Sequence, residues 1–370
     1  MKIGIDGRPF KYIEYSGIPN TIYEVIKNWM KQHPEHEYYL ISNADIQLKE
    51  ELPDNWHKVV SPGITGNGTL WYIFHLRSLL IKLKLDAYWG DNYLLPGKIK
   101  DCCYLMSVYD LSFAKYPHTS SRKTRLILKF FLKKSCKRAN VIHAISDATK
   151  EDLHTLYKVS ENKIHRIYLG APEIQYRNCR QSERLQHELG KSSFFLFLST
   201  LEPRKNPNLV LDAYQLFCEQ HGESIHLVFA GKKGWVDHSF YQKLEHHPYR
   251  RNIHFLGYID EEEKAFLLQN AKALVYPSIY EGFGLPILEA MQSGTPVITS
   301  NVSSMPEIGG NVAFYLRDKG TAAELADLMH EVCTLTDEML MQLRNQMKDN
   351  CERFSWKECS EQILKLLSGE

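Results

Sequence analysis

Residues 278–299 have the sequence Ser278-Ile-Tyr-Glu-Gly-Phe-Gly-Leu-Pro-Ile-Leu-Glu-Ala-Met-Gln-Ser-Gly-Thr-Pro-Val-Ile-Thr299, and this stretch decides the fold. Pro286 suits the first turn of a helix, Gly294 suits its end, and Pro296 prevents its continuation. The apolar residues that follow predict a buried strand. The stretch therefore predicts a loop, a helix and a strand in succession, as in an α/β protein.

Two glutamates in this stretch, Glu281 and Glu289, flank a loop that contains Gly282 and Gly284. The loop leads into a helix N-terminus, whose unpaired N–H groups and positive dipole favour an anionic phosphate. Carboxylates repel a phosphate, but they accept hydrogen bonds from vicinal hydroxyl groups. The combination predicts a nucleotide-sugar site.

Strands and helices alternate along the rest of the chain in two successive halves. The apolar runs that predict a first parallel sheet are residues 2–6, 37–42, 86–90, 102–108 and 141–145. Those that predict a second are residues 193–199, 225–231, 252–257, 273–277 and 313–316. Residues 171–186 lack apolar periodicity and predict a linker. We expect two Rossmann-like domains that face each other across a cleft, the usual place for a ligand.

Arg204 and Lys205 follow the first strand of the second half, just before a helix that Asn206 is expected to cap. A diphosphate at the end of that strand would be bound by an Arg fork and a Lys charge. The alternative is a solvated basic turn.

Gly17 and Asp110 are the corresponding candidates in the first half. Gly17 precedes a helix and offers a second approach to phosphate, although for a single glycine an ordinary strand-to-helix turn is the favoured explanation. Asp110 follows the strand at 102–108, where ligands gather in open α/β sheets, although a helix cap also explains it.

Composition and residue spacing argue against several classes of protein. The formal net charge of +1 gives no general case for nucleic acid, and no apolar run has the length of a membrane span. The chain enters its first strand without a signal-peptide region, and its eight cysteines form no C-x-x-C pair, so we expect a reducing, cytoplasmic location. The spacing of Cys and His predicts no metal site.

Residues 115–138 contain nine Lys or Arg and no acidic residue. One interpretation is a helix with a core-facing apolar stripe and a solvated basic face. The other is peripheral contact with an anionic membrane, at the inner face of the plasma membrane.

The segment from Glu281 to Glu289, together with Leu201-Glu-Pro-Arg-Lys-Asn206, resembles the signature of family 4 (group 1) retaining glycosyltransferases. The resemblance covers nearly the whole chain and is greatest to bacterial mannosyltransferase-like enzymes of surface polysaccharide assembly. It implies a GT-B fold without a metal or other cofactor. The implied domains are residues 1–175 for the acceptor, residues 176–352 for the donor, and a C-terminal helix at 353–370 that crosses back onto the first domain.

The resemblance also implies roles for single residues. The candidate catalytic residues are Glu281, Arg204, Lys205 and Asp110. The implied donor-binding residues are Gly17, Arg204, Lys205, Phe283, Gly284, Leu285 and Glu289. Among them the two cations would bind the diphosphate, Glu281 the transferred sugar and Glu289 the ribose. Many relatives have His-Asp where this chain has Tyr109-Asp110, which puts the acid/base group in question.

The predicted reaction is retaining transfer of a hexosyl, in particular a mannosyl, group from a nucleoside-diphosphate sugar to a glycan or lipid-linked glycan. The alternatives are a nucleotide-sugar epimerase, a sugar phosphorylase, and a non-catalytic partner of another transferase.

Overall fold

The computed structural model describes the chain except for residues 14, 16, 63–70, 91–92, 117–121, 173–181, 235–237, 319 and 370. The chain divides into two compact units. The first contains Met1–Gly170 and Phe354–Glu370, and the second contains Ala171–Arg353.

The first unit is built on a parallel sheet. In the described residues its strands are β1 (Lys2–Asp6), β2 (Glu37–Ser42), β3 (Trp56–Val60), β4 (Ala87–Gly90), β5 (Cys103–Val108), β6 (Val141–Ala144) and β7 (Ile164–Arg166). Their order is β3-β2-β1-β4-β5-β6-β7. The two edge strands, β3 and β7, were not predicted, because each exposes about half of its residues and β7 has only three.

The helices of this unit follow the expected alternation. They are α1 (Ile18–Gln32), α2 (Leu76–Leu83), which continues a π-helical turn at Trp71–His75, α3 (Ser112–Lys115), α4 (Arg122–Arg138) and α5 (Asp147–Tyr157). Ser146 caps α5, because its side chain accepts a hydrogen bond from the Thr149 N–H.

The second unit is also built on a parallel sheet. Its described strands are β8 (Ser193–Leu198), β9 (Ile225–Ala230), β10 (Ile253–Gly257), β11 (Ala273–Tyr276), β12 (Val297–Ser300) and β13 (Phe314–Leu316). Their order is β10-β9-β8-β11-β12-β13, so β8 and β11 are neighbours although far apart in sequence. The strand order therefore reverses between β8 and β11, and such a reversal opens a crevice beyond the carboxyl ends of the two strands.

The helices of the second unit are α6 (Glu183–Leu189), α7 (Pro207–His221), α8 (His238–Glu245), α9 (Glu261–Asn270), α10 (Leu285–Gln292), α11 (Met305–Gly309), α12 (Ala322–Cys333) and α13 (Asp337–Cys351). Residues 173–181 of the predicted linker lie outside the described residues. The linker prediction is wrong at its end, since α6 begins at Glu183. Its two buried leucines, Leu185 and Leu189, are too few to produce a visible period.

A second correction concerns the start of α7. Asn206 precedes this helix as predicted, but its side chain makes no capping hydrogen bond. Its backbone is left-handed, with φ +59°, whereas a capping side chain needs an extended backbone. The left-handed residue ends the short 3-10 turn at Pro203–Lys205, and Pro207 then starts α7.

The last helix, α14 (Trp356–Ser368), belongs to the first unit. The Trp29 indole of α1 is completely buried and donates a 2.9 Å hydrogen bond to the Ser360 carbonyl of α14. His33 contacts Glu361 of the same helix at 2.9 Å. Across the described ranges, no helix combines the length and the apolar character that crossing a membrane requires.

Candidate functional site

The site of the second unit lies where its strand order reverses. The connection after β8 carries Arg204 and Lys205, and the connection after β11 carries Glu281. The Ile279 N–H donates a 2.9 Å hydrogen bond to the Arg204 carbonyl, which joins the two connections directly. The sheet topology therefore brings together charged residues that are more than 70 positions apart in sequence.

Glu281 holds both cations. Its Oε2 atom lies 2.6 Å from Arg204 Nη1, and its Oε1 atom lies 2.6 Å from Lys205 Nζ. The Lys205 ammonium also donates a 2.6 Å hydrogen bond to the Tyr276 hydroxyl, and Arg204 Nη2 lies 3.3 Å from Glu202. We call Glu202, Arg204, Lys205 and Glu281 the Glu281 cluster. Its two cations and two carboxylates give it a formal charge of zero.

The Glu281 cluster is shielded from solvent. The exposed fractions of the side chains are 16% for Arg204, 11% for Lys205 and 8% for Glu281. Burial by itself raises the pKa of Glu281, but Lys205 and Arg204 outweigh burial and hold that pKa at about 2. Glu281 is therefore ionised over the whole physiological range of pH.

Two serines fix the backbone of the loop after Glu281 by hydrogen bonds. Ser303 donates a 2.5 Å hydrogen bond to the Glu281 carbonyl, and Ser304 donates a 2.6 Å hydrogen bond to the Phe283 carbonyl. Gly284 then adopts φ +117°, a left-handed conformation that favours glycine, and α10 begins at Leu285. Pro286 has no N–H, and the Ile287 N–H donates a 2.9 Å hydrogen bond to the Gly284 carbonyl. The Leu285 N–H and the positive end of the helix dipole are therefore what this end of α10 offers to an anion.

Glu289 lies on α10 in a separate ion pair. Its Oε1 atom accepts a 2.9 Å hydrogen bond from Lys264 of α9, which also pairs with Glu261 at 2.7 Å. Within the part of the chain that the structure describes, the second oxygen of Glu289 accepts no hydrogen bond. The two glutamates therefore differ: both oxygens of Glu281 are occupied, and only one of Glu289.

The two candidates of the first unit lie after β1 and β5. Gly17 precedes α1 with φ +62°, and a Cβ atom placed on it would meet nothing within 4 Å. The Asp110 carboxylate accepts hydrogen bonds from the Ser112 N–H at 3.0 Å and the Ser112 hydroxyl at 2.9 Å. Asp110 thus forms a local turn with Ser112, but the N-cap of α3 is Leu111, so the capping interpretation of Asp110 is wrong. The catalytic role of Asp110 stays a prediction.

The sequence prediction missed several members of the site. Lys264 stands among glutamates at the start of α9 and belongs to no motif. Tyr276 ends a buried strand and is indistinguishable in sequence from a core residue. Ser303 and Ser304 belong to no motif. Among the described residues, no group of three or more His, Cys, Asp or Glu is placed to hold a metal ion.

Two family models match the chain. Residues 15–172 match the model described as Glycosyltransferase Family 4, and residues 180–354 match the model described as Glycosyl transferases group 1. The O-antigen chain mannosyltransferase B of Escherichia coli is 30% identical, and the match covers 98% of each chain. The O-antigen chain mannosyltransferase RfbU of Salmonella typhimurium is 28% identical over 67% of this chain and 66% of its own length.

Solved structures resemble the chain over its full length. WaaG, a glycosyltransferase involved in lipopolysaccharide biosynthesis, has a TM-score of 0.73 at 15% identity, with 100% of each chain covered. HepE of Anabaena, solved in complex with UDP and glucose, has a TM-score of 0.73 at 17% identity, also with 100% of each chain covered. With the two parallel sheets, this likeness confirms the predicted GT-B fold class.

The buried ion pairs of Glu281 generate a prediction about pH. Replacing Glu281 by Gln should lower the free energy of unfolding at pH 7 by about 3 kcal/mol, because both cations lose their buried counter-charge. Since the pKa of Glu281 is about 2 in the folded chain and 4.5 ordinarily, the carboxylate stabilises the fold above pH 4.5. That contribution is lost as the pH falls towards 2.

Urea unfolding followed by circular dichroism measures the difference between wild type and E281Q at each pH. The difference should shrink as the pH falls from 5 to 3. The exposed Glu262→Gln variant is the control and should show a small, constant difference. A difference for E281Q that does not change with pH would contradict the assignment of the pKa.

Proposed function

Because the chain belongs to family 4 (group 1) of the glycosyltransferases, we propose that it transfers a mannosyl group from a nucleoside-diphosphate sugar to a glycan or lipid-linked glycan. The transfer retains the anomeric configuration and needs no metal. The observation that carries this proposal is the pair of solvent-shielded cations, Arg204 and Lys205, that contact Glu281 four residues before α10. The relatives named as mannosyltransferases support the choice of sugar and favour transfer over epimerisation or phosphorolysis.

The departing diphosphate gains negative charge in the transition state. Arg204, Lys205 and the backbone amides of Gly284 and Leu285, at the start of α10, are the groups that stabilise it. Such groups are effective because they are oriented before the reaction and shielded from water. Side chains and helix N–H groups then supply the positive charge that a metal ion supplies elsewhere.

The Glu281 cluster is electrically neutral before the donor arrives, so the cations are already engaged. Donor binding exchanges carboxylate–cation contacts for phosphate–cation contacts. The released Glu281 carboxylate is then an acceptor for hydroxyl groups of the transferred sugar. It orients that sugar and does not attack it, because in the front-face route the leaving phosphate takes the acceptor proton.

The exchange predicts tighter nucleotide binding by one variant. Glu281→Gln should bind free GDP or UDP about tenfold more tightly than wild type, since the phosphates no longer compete with the Glu281 carboxylate for the two cations. The same variant should transfer sugar more slowly, because the sugar loses its acceptor. Isothermal titration calorimetry measures the first effect, and an equal or weaker affinity would argue against the exchange.

The double variant Arg204→Ala/Lys205→Ala tests the proposed function. We expect transfer from GDP-mannose to fall at least about 100-fold, because the leaving diphosphate loses its side-chain cations. A matched variant, Arg251→Ala/Lys272→Ala, removes two exposed cations from the same unit and should keep full activity. Transfer by the double variant at the wild-type rate would contradict the proposed function.

Two finer parts of the proposal are tested in the same assay. NMR of the product reports the anomeric configuration of the new bond, and an inverted product would contradict retention. Transfer measured after treatment with EDTA should equal the untreated rate, and activity that returns only with added Mg²⁺ or Mn²⁺ would contradict metal independence.

We also propose peripheral contact with an anionic membrane through the basic segment at 115–138, of which residues 117–121 lie outside the described residues. Leu126 and Phe130 of α4 stand four positions apart and are 68% and 56% exposed. Leu132 and Cys136 face the core, so a core-facing stripe does not account for the exposed pair. The Lys134 ammonium lies 4.1 Å from the centre of the Phe130 ring.

Flotation with phosphatidylcholine vesicles, with and without phosphatidylglycerol, tests the membrane contact. Wild type should float only with the anionic vesicles, and Leu126→Asn/Phe130→Asn should lose most of that binding. Leu156→Asn, which changes an exposed leucine of α5, should float like wild type. Absence of wild-type binding to anionic vesicles would remove this part of the proposal.

A cytoplasmic location completes the proposal. The seven cysteines among the described residues are all unpaired, which supports a reducing compartment.

A further inference from the structure

We propose that Lys264 is a positioning residue for donor recognition: it holds one oxygen of Glu289 so that the other receives the ribose hydroxyls. The inference rests on the proposed function, which makes a nucleoside diphosphate the donor. It adds a residue that the sequence motifs do not contain.

The ion pair is well placed for this role. Lys264 is the fourth residue of α9, the helix that follows β10, and Glu289 is the fifth residue of α10, the helix that follows β11. Both helices begin at the carboxyl edge of the same parallel sheet, where ligands of such sheets bind. Gly257, which ends β10 at this edge, has open space where a side chain would stand.

The two glutamates that pair with Lys264 differ in solvent exposure. The Lys264 side chain is 19% exposed and Glu289 is 13% exposed, whereas Glu261 is 88% exposed. The inner contact, with Glu289, is thus the shielded one, and electrostatic attraction is stronger there than at the surface. Burial lowers the pKa of Lys264, but Glu289 and Glu261 outweigh it and raise that pKa, so the ammonium stays charged.

The second carboxylate oxygen of Glu289 is the atom that can accept hydrogen bonds from a ligand. Lys264 takes one oxygen of Glu289, and no described residue donates to the other. A charge-assisted bond fixes the direction of the carboxylate, so its open oxygen is oriented before a ligand arrives. Two vicinal hydroxyl groups, such as those of ribose, present the donors that this oxygen lacks.

A purely structural ion pair would stabilise the contact between α9 and α10 without affecting ligand choice. The two roles differ in one measurable quantity, the preference for ribose over a ribose that lacks both hydroxyls. We therefore compare the affinities for GDP and 2′,3′-dideoxy-GDP, and for UDP and 2′,3′-dideoxy-UDP, by isothermal titration calorimetry.

Wild type should prefer at least one ribonucleotide over its dideoxy form by about tenfold or more, because the carboxylate is a charged acceptor. Lys264→Met should reduce that preference at least about threefold, with little change in affinity for the dideoxy form. Lys264→Arg should restore most of the preference. The matched control is Lys272→Met, at an exposed lysine of the same unit, and it should keep the wild-type preference.

Glu289→Gln, alone and combined with Lys264→Met, tests whether the two residues act together. If Lys264 acts through Glu289, adding Lys264→Met to Glu289→Gln should change the preference little, since coupled residues are not additive. Lys264→Gln serves the same tests if Lys264→Met does not fold, as thermal melting will show.

The outcomes separate the inference from the proposed function. A wild type that binds neither GDP nor UDP contradicts the proposed function and the inference with it. A wild type that prefers the ribonucleotide, with Lys264→Met preferring it equally, overturns the inference alone. A loss of affinity that is equal for both forms assigns Lys264 a structural role and also overturns it.

Discussion

The attraction between one buried carboxylate and two buried cations is the constraint on which the site of the second unit depends. Without a counter-charge, shielding Arg204 or Lys205 from water would destabilise the fold, because desolvation of a single ion costs several kcal/mol. Glu281 supplies that charge from the neighbouring connection, and the two serines below it fix its backbone. In the proposed function, stability and ligand binding draw on the same cations. Glu281 would then stabilise the two cations when no diphosphate is bound.

The two glutamates of the motif are chemically distinct because of what surrounds them. Glu281 is nearly enclosed and fully occupied, so a ligand must displace something to reach its carboxylate. Glu289 keeps an unoccupied oxygen and needs no displacement. A motif that looks symmetrical in sequence thus contains one carboxylate with both oxygens paired and one with a single oxygen paired. In the proposed reaction, the first belongs to the sugar that moves and the second to the nucleotide that stays.

Much of the fold was predictable, because buried parallel strands are long apolar runs and Gly, Pro and capping residues mark the helices between them. Edge strands such as β3 escaped prediction, since exposure on one side removes the apolar run. The charged members of the Glu281 cluster were found because they stand in two motifs. Their mutual contacts were not, because the neighbouring position of β8 and β11 is a property of strand order. Lys264 has no local signal at all, and Asn206 shows that a residue type typical of caps can be used for its left-handed backbone instead.

The placement of α14 has a consequence for the order of events during synthesis. The second unit is a continuous stretch of chain, whereas the first is closed by residues that the ribosome adds only after the whole second unit. Domains generally fold as units, N-terminal ones first. Here the earlier unit must wait, with the apolar face around Trp29 uncovered, until the later unit has emerged completely. The half of the protein that is made first is thus the half that matures last, and its exposure in the meantime grows with the length of the segment inserted in it.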